Sequence, residues 1–175
     1  MIEQILSALM YPFLFLSMFF EMLLLVSFFE SKKKIDEEEF DHVLTHFPTV
    51  AVAVPCWNEE RTLPATLDSL LALDYPKEKL SIFIVDDGSK DGTFAIAQEY
   101  QAKYPETIHA IHKENGGKHT AVNLALERST ADFFGCLDAD SFVAPHTLKT
   151  IISYFDRDPK IMAVTPCIHI RNPKT

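Results

Sequence analysis

The chain has 175 residues, 47% of them hydrophobic, and a formal net charge of −9 at pH 7. Its length is typical of one domain, and its apolar share is sufficient for a sizeable core. An acidic chain without a basic face lacks the electrostatic footprint of nucleic-acid binding, so we expect no nucleic-acid partner. The three cysteines show no spacing typical of a disulfide framework or a metal site, which suits a reducing compartment.

Residues 1–31 are predicted to form one transmembrane helix with its flanks. The segment 5–29 is almost continuously apolar and has about the length that crosses a bilayer. No basic residue precedes it and three lysines follow at 32–34, so it does not match a secretory signal peptide. The positive-inside rule then predicts a single-pass membrane protein with a cytoplasmic soluble part. Pro12 and Glu21 leave open a buried or interfacial helix.

The rest of the chain divides into a charged connector, 32–48, and an α/β domain, 49–175. Apolar and β-branched runs predict strands at 49–54, 80–85, 108–111, 133–137 and 161–165. Apolar residues at helical spacing predict helices at 61–73, 92–102, 118–127 and 145–155. This alternation indicates a mostly parallel sheet with right-handed crossovers. In such a sheet the ligand site lies outside the carboxyl ends of the strands.

The first predicted strand leads into Pro-Cys-Trp-Asn-Glu-Glu at 55–60. Pro55 argues against simple continuation of a central strand, because proline cannot donate to the ladder. Trp57, the one tryptophan of the chain, could lie against a planar base, with Asn58 or Glu59 binding a polar edge of that base. The alternative is that Trp57 packs in the core and that Asn58 or Glu59 caps the next helix.

The second predicted strand ends in Asp86 and Asp87, followed by Gly88. A carboxylate at this point could accept a hydrogen bond from an N–H group of a base, and Gly88 permits a turn. The alternative is a turn that is merely rich in aspartate and glycine.

The third predicted strand is followed by Asn-Gly-Gly-Lys at 115–118, at the start of a helix. Gly117 lets the backbone approach a phosphate, and Lys118 adds positive charge at the helix N-terminus. The stretch is neither a P-loop nor the dinucleotide-binding glycine pattern.

The fourth predicted strand ends in Asp138 and Asp140. Residues two apart on an extended chain project to the same side, so the two carboxylates could converge on one point. Such a pair is explained if Mg²⁺ or Mn²⁺ binds both carboxylates together with phosphate oxygens. One alternative is an acidic loop that starts the next helix. Another is a phosphotransferase with Asp138 as its nucleophile, which leaves the stretches at 86–93 and 116–118 unexplained.

Taken in order, the four stretches resemble the family 2 inverting glycosyltransferases, which have a GT-A fold. The resemblance covers about residues 50–165. The apolar N-terminal helix is similar to that of membrane-embedded processive members, such as synthases of cellulose, hyaluronan and poly-N-acetylglucosamine. The resemblance implies a UDP-sugar donor, a saccharide or lipid-linked acceptor, and Mg²⁺ or Mn²⁺ as cofactor, in the synthesis of a polysaccharide or glycoconjugate.

The resemblance also implies roles at the matching positions. The nucleotide-sugar would be bound by residues from all four stretches, and the metal by the acidic pair of the last one. Tyrosine is usual in the family at the position of Trp57. The implied nucleotide-sugar residues are Pro55, Trp57, Asn58, Glu59, Asp86, Asp87, Gly117, Lys118 and Asp138, and the implied metal ligands are Asp138 and Asp140.

A catalytic base is the part of the family pattern that these stretches do not supply. Family members place this acidic residue well downstream of the Asp-x-Asp stretch. An inverting displacement needs it to deprotonate the acceptor hydroxyl. We therefore expect the chain to be a truncated donor-binding half, with the base beyond Thr175 or on a second subunit. The alternative is a non-catalytic nucleotide-sugar-binding module.

Overall fold

The structure is a computed structural model that describes residues 2–37, 44 and 46–166, with side chains of the first helix described from residue 10 to residue 30. The chain divides into two compact units, residues 1–43 and residues 44–175. Residues 38–43 and 45 of the predicted connector lie outside the described residues, as do residues 167–175 at the end of the predicted α/β domain.

The N-terminal unit contains one long helix, α1, Ile2–Glu37, with Pro12 inside it. Its segment Met10–Glu30 is long and apolar enough to span a membrane by length and composition. The side chains of this segment are exposed. Within it, the Ser17 hydroxyl donates a hydrogen bond to Glu21 Oε1 at 3.4 Å.

The second unit is built on a four-stranded parallel sheet in the order β3-β2-β1-β4. The prediction of a mostly parallel α/β sheet is confirmed. The strands are β1 Val50–Cys56, β2 Leu80–Asp86, β3 Ile108–His112 and β4 Phe133–Cys136. The helices are α2 Leu63–Leu71, α3 Thr93–Lys103, α4 Lys118–Arg128 and α5 Thr147–Arg157, with a 3₁₀ turn at Lys77–Lys79.

Strand β1 lies inside the sheet and buries side chains on both faces, which explains its continuous apolar sequence. One face packs against the leucines of α2, including Leu63 and Leu67. On the other face, Ala51 and Ala53 pack in one cluster with Ala121 and Ala125 of α4. Small side chains on both partners let α4 lie close to the sheet, so its N-terminus is held at the carboxyl ends of the strands.

The expectation that Pro55 ends the first strand is wrong. Strand β1 continues through Pro55 and Cys56, and Pro55 pairs with Val85 of β2. Ala53 O accepts a hydrogen bond from Leu137 N, so the backbone N–H and C=O groups of the odd-numbered residues of β1 point toward β4. The pairing of β1 with β4 ends at Ala53. Pro55, which has no backbone N–H, therefore lies beyond the last pair, where β4 requires no hydrogen bond from it.

The predicted strand at 161–165 is also wrong, because residues 161–166 have no regular secondary structure. Met162 is 88% exposed. No neighbouring strand pairs with this segment within the described part of the chain, and an apolar run forms a strand only when it has a partner and a buried face.

The carboxyl ends of three strands lie in one row across the sheet. Cys56 of β1 pairs with Asp86 of β2, and Asp86 pairs with His112 of β3. The segments that follow these strands therefore leave the sheet at the same edge. We call them the first loop (57–62), the second loop (87–92), the third loop (113–117) and, after β4, the fourth loop (137–146).

Candidate functional site

The first and second loops are joined by hydrogen bonds centred on Asn58. Its backbone N–H donates to Ser89 Oγ at 2.8 Å, and its side-chain Oδ1 accepts from the N–H of Lys90 at 2.9 Å. Asn58 adopts φ 58°, a left-handed conformation that asparagine tolerates better than most residues. Its side chain is thus used to tie two loops together, and the alternative that Asn58 caps α2 is wrong.

Trp57 is presented by this tied loop rather than packed in the core. The residue is 56% exposed, so the alternative of ordinary core packing for Trp57 is wrong. Beside it, the backbone N–H of Glu59 donates to Thr93 Oγ1 at 2.8 Å, and Glu59 Oε2 accepts from the Thr62 hydroxyl at 2.5 Å. A large aromatic surface therefore stands at the carboxyl edge of the sheet on a backbone that is fixed on both sides.

Asp87 joins the second loop to the third. Its Oδ1 accepts from Gly116 N at 3.0 Å and its Oδ2 from Gly117 N at 2.7 Å, and Lys113 Nζ also donates to Oδ1. Burial raises the pKa of this carboxyl, but the bonds from Lys113 and the two glycines outweigh burial and hold the pKa below its ordinary value. The charged Asp87 carboxylate therefore holds the third loop in place, and we call its bonds to Lys113, Gly116 and Gly117 the clamp.

Two glycines make this clamp sterically possible. Gly117 has φ +89°, a conformation that side chains rarely adopt. Gly88 has φ +75°, and a Cβ atom at this position would lie 3.0 Å from the backbone nitrogen of Asn115. The backbone at Gly117, which is predicted to approach a phosphate, donates its N–H to Asp87.

Asp86, the other member of the predicted acidic pair, is completely buried. Its Oδ2 lies 2.6 Å from His112 Nδ1, and its Oδ1 accepts from Ser89 N at 3.3 Å. The His112 ring in turn lies 5.0 Å from the ring of Phe94 in α3. Both carboxylates that were predicted to meet a base therefore bind groups of the chain itself.

Lys118 is the first residue of α4, and its ammonium group donates to Asp138 Oδ1. This contact connects the end of the third loop to the fourth loop. The two side chains are 59% and 53% exposed, respectively. The hydrogen bond to Asp138 raises the pKa of Lys118 above its ordinary value, so the lysine is fully charged at neutral pH.

The predicted acidic pair lies in a turn rather than on an extended chain. Strand β4 ends at Cys136, and Ser141 N donates to Asp138 O at 3.0 Å to close the turn 138–141. Between the two aspartates, the buried Ala139 offers its carbonyl to Thr66 Oγ1 at 2.8 Å. This bond anchors the turn to α2 while both aspartates stay exposed. The assumption of an extended geometry at this point is wrong.

Hydrogen bonds thus connect the first three loops to one another, and Lys118, which follows the third loop at the start of α4, connects them to the fourth loop at the same edge of the sheet. Of the predicted residues, Asn58, Asp87, Gly117, Lys118 and Asp138 take part in these loop-to-loop contacts. Several participants were not predicted, because isolated serine, threonine and lysine residues carry no distinctive spacing. They are Thr66, Ser89, Thr93 and Lys113.

Among the described residues, the carboxylates at this edge could hold a hard divalent cation only together with further ligands such as phosphate or water. In the part of the chain that the structure describes, no group of three or more His, Cys, Asp or Glu residues could hold a metal ion. Asp138 and Asp140 offer exposed carboxylate oxygens, and Asp140 accepts a long bond from Ser141 Oγ at 3.4 Å. Mg²⁺ is commonly bound by one or two carboxylates together with substrate phosphates and water, so this pair fits such an ion.

A cavity of about 510 Å³ lies elsewhere on the sheet. Its lining contains no residue of the predicted site. The lining residues include Ser81 and Phe83 of β2, His109 of β3, and Arg128, Ser129 and Thr130 at the end of α4.

A family model decides the relationship of this chain to known proteins. The model "Glycosyl transferase family 2" matches residues 51–175. The chain belongs to glycosyltransferase family 2. The predicted family is therefore confirmed.

Two curated relatives are poly-β-1,6-N-acetyl-D-glucosamine synthases. The protein from Staphylococcus aureus is 36% identical over 123 residues, which are 70% of this chain and 29% of the relative. The protein from Staphylococcus epidermidis is 32% identical over the same shares. The chain thus spans less than a third of the length of the curated relatives that it matches.

Solved structures confirm the GT-A type of fold. The mannosyltransferase PcManGT from Pyrobaculum calidifontis, solved with GDP-Man and Mn²⁺, matches with a TM-score of 0.65 and 29% identity, over 78% of this chain and 41% of that protein. Residues 1–349 of TarS from S. aureus, solved with UDP-GlcNAc, match with a TM-score of 0.57 and 30% identity, over 62% of this chain and 31% of that one.

Proposed function

We propose that this chain is the donor-binding part of a glycosyltransferase that uses a UDP-sugar and a divalent cation to build a polysaccharide or glycoconjugate. The observation that carries the proposal is the linked set of loops at one sheet edge, which holds an exposed aromatic, a lysine and two exposed carboxylates. The sequence identity with poly-β-1,6-N-acetyl-D-glucosamine synthases and the structural similarity to TarS, solved with UDP-GlcNAc, support a UDP-sugar as donor.

The first loop is proposed to bind the nucleoside. Trp57 offers an exposed ring for the base, and Pro55, Asn58 and Glu59 hold the backbone beside it. Stacking of a base on an aromatic side chain is worth about 1–3 kcal/mol. Asp86 and Asp87, together with Gly117, are proposed to shape the floor of the nucleotide site through the bonds that they make inside the chain.

The fourth loop is proposed to hold the metal. Asp138 and Asp140 would ligate Mg²⁺ or Mn²⁺, and Mn²⁺ is the ion in the PcManGT complex. When bound, the ion would neutralise charge on the departing nucleoside diphosphate. Lys118 adds a further positive charge next to Asp138 for the same diphosphate.

The proposed reaction is a single displacement with inversion at the sugar carbon. The acceptor, a saccharide or a lipid-linked saccharide, must lose its hydroxyl proton to a base as the new bond forms. We propose that this base lies outside residues 46–166, either further along the same polypeptide or on a second subunit.

The N-terminal unit is proposed to anchor this domain to a membrane. We propose that residues 1–31 form a single-pass helix, that 32–48 connect it to the domain 49–175, and that the three lysines at 32–34 keep the domain in the cytoplasm. The exposed Cys136 thiol should then escape a membrane-impermeant maleimide in intact cells and react after permeabilisation. Equal labelling before and after permeabilisation, lost in Cys136→Ser, would contradict this topology.

Calorimetric titration of UDP into the full chain with Mg²⁺ or Mn²⁺ tests the site. We expect metal-dependent binding that falls at least about tenfold, or 1.4 kcal/mol, in Asp138→Asn and in Asp140→Asn. Asp156→Asn, an exposed acid on α5, is the matched control and should bind as the parent does. Unchanged binding in both site variants, or no binding of UDP by the parent chain with either metal, would refute the proposed function.

A further inference from the structure

Lys118 pairs with a carboxylate that the proposed metal would bind. Its ammonium group donates to Asp138 Oδ1, and no other side chain among the described residues donates to the Asp138 carboxylate. The pair is exposed on both sides, so neither side chain is held there by packing. An exposed ion pair of this kind is weak, commonly about 0.2–1 kcal/mol, and can be exchanged for another partner.

A divalent cation at Asp138 would compete with this lysine in two ways. The ammonium group at Oδ1 neutralises part of the negative charge that the carboxylate would offer to the metal. In addition, two cations at one carboxylate repel each other. Binding of the metal alone therefore either leaves two cations at one carboxylate or displaces Lys118 without giving it a new partner.

A diphosphate that arrives with the metal removes this cost. Lys118 is the first residue of α4, where unpaired backbone N–H groups and the helix dipole favour an anion. Its own backbone is positioned by Gly117, which Asp87 fixes through the 2.7 Å bond. The long lysine side chain can therefore exchange one anion, Asp138, for another, the diphosphate, without a movement of the loop.

We infer that Lys118 makes metal binding depend on the diphosphate, so that the site selects the metal–diphosphate complex over the free metal ion. This inference rests on the proposed function. It predicts positive coupling: the nucleotide tightens binding of the metal, and the metal tightens binding of the nucleotide by the same factor. The lysine thus has two roles, as a competitor for the metal before the donor binds and as a partner of the diphosphate afterwards.

Binding of Mn²⁺ to the full chain, followed by electron paramagnetic resonance with and without UDP, tests the inference. In Lys118→Met the affinity for Mn²⁺ without nucleotide should rise about 1.4- to fivefold, the equivalent of an exposed ion pair. The affinity for UDP in the presence of Mn²⁺ should fall, so the factor by which UDP tightens Mn²⁺ binding should shrink. Lys118→Gln should behave alike, and it replaces the methionine variant if that one does not fold.

Lys103→Gln is the matched control, because Lys103 is also an exposed lysine paired with a carboxylate, Glu99, at 2.7 Å. It should leave both affinities unchanged. Mn²⁺ affinity without nucleotide that is equal to or lower than that of the parent in the Lys118 variants would overturn the inference, even if UDP binds normally with metal. Failure of the parent chain to bind UDP with Mn²⁺ would instead refute the proposed function.

Discussion

Asp87 Oδ2 accepts a hydrogen bond from the backbone N–H of Gly117 at 2.7 Å, across 30 residues of sequence. The second oxygen of the same carboxylate accepts from Gly116 N and Lys113 Nζ. One buried aspartate at the end of β2 therefore fixes the conformation of the loop that begins α4. Through that loop it sets the position of Lys118, which reaches the acidic turn after β4.

Asp87→Asn should disorder the third loop. An amide can accept one of these bonds, but its NH₂ group would face N–H donors, and Lys113 would lose its counter-charge. We expect a loss of about 1–3 kcal/mol in the free energy of unfolding, as for other buried partners left unsatisfied. Chemical denaturation measures this loss, with Asp156→Asn as the control. Stability within about 0.5 kcal/mol of the parent, the range of neutral surface changes, would contradict the clamp.

The same clamp predicts a direction of pH dependence. The folded-state pKa of Asp87 lies below its ordinary value of 3.8, so its contribution to stability is complete above that pH. The contribution is lost only as the pH falls through the lower, folded-state pKa. Amide exchange of Gly116 and Gly117, corrected for intrinsic rates, should therefore stay slow down to pH 3.8 and speed up below it. Loss of protection between pH 5 and 6 would show that Asp87 does not hold the loop.

Trp57 should contribute to binding and little to stability. Since the residue is 56% exposed, Trp57→Ala should change the free energy of unfolding by less than about 0.5 kcal/mol. Loss of base stacking, about 1–3 kcal/mol, should weaken UDP binding by about five- to 150-fold. Trp57→Tyr keeps an aromatic surface and should retain most of the affinity. Because the chain has one tryptophan, its fluorescence reports UDP binding in the parent directly. Equal affinities in the parent and the alanine variant would exclude Trp57 from the nucleoside site.

Thr66 should matter for the acidic turn although it lies in α2. Thr66→Val keeps the shape of the side chain but removes the 2.8 Å bond to Ala139 O and leaves that buried carbonyl without its donor. We expect a cost of about 1–3 kcal/mol in stability together with weaker metal-dependent UDP binding. Thr130→Val, at an exposed threonine, is the control for each measurement. Unaltered stability and UDP affinity in Thr66→Val would mean that α2 does not position the turn.

The sheet could be predicted from the sequence because strands and helices are indicated by short local patterns of apolar residues. Apolar runs such as Val50–Cys56 and Leu80–Asp86 are buried on both faces, and parallel connectivity follows from the helices between them. The prediction of a strand at 161–165 was wrong, because no strand in the described part of the chain pairs with this apolar run. The prediction at Pro55 was also wrong, because the length of β4 determines whether that position needs an N–H donor.

The location of the candidate site was predictable from the sequence, but the hydrogen-bond partners of its residues were not. Asp87 and Lys118 were recognised as polar residues after strands, which is a property of sequence order. Which atoms they bind depends on the register between strands and on backbone conformation at Gly88 and Gly117. The bond from Thr66 to the acidic turn spans 73 residues and leaves no periodic or spacing signal in the sequence.

Hydrogen–deuterium exchange of the full chain with and without UDP and Mg²⁺ tests the central claim most directly. We expect added protection in the four loops, 57–62, 87–92, 113–117 and 137–146. We also expect no change around the cavity lined by Phe83, His109 and Arg128, which contains none of the proposed site residues. Protection at that cavity, or no protection in the four loops under conditions that saturate the chain with UDP, would contradict a donor site at the carboxyl edge of the sheet.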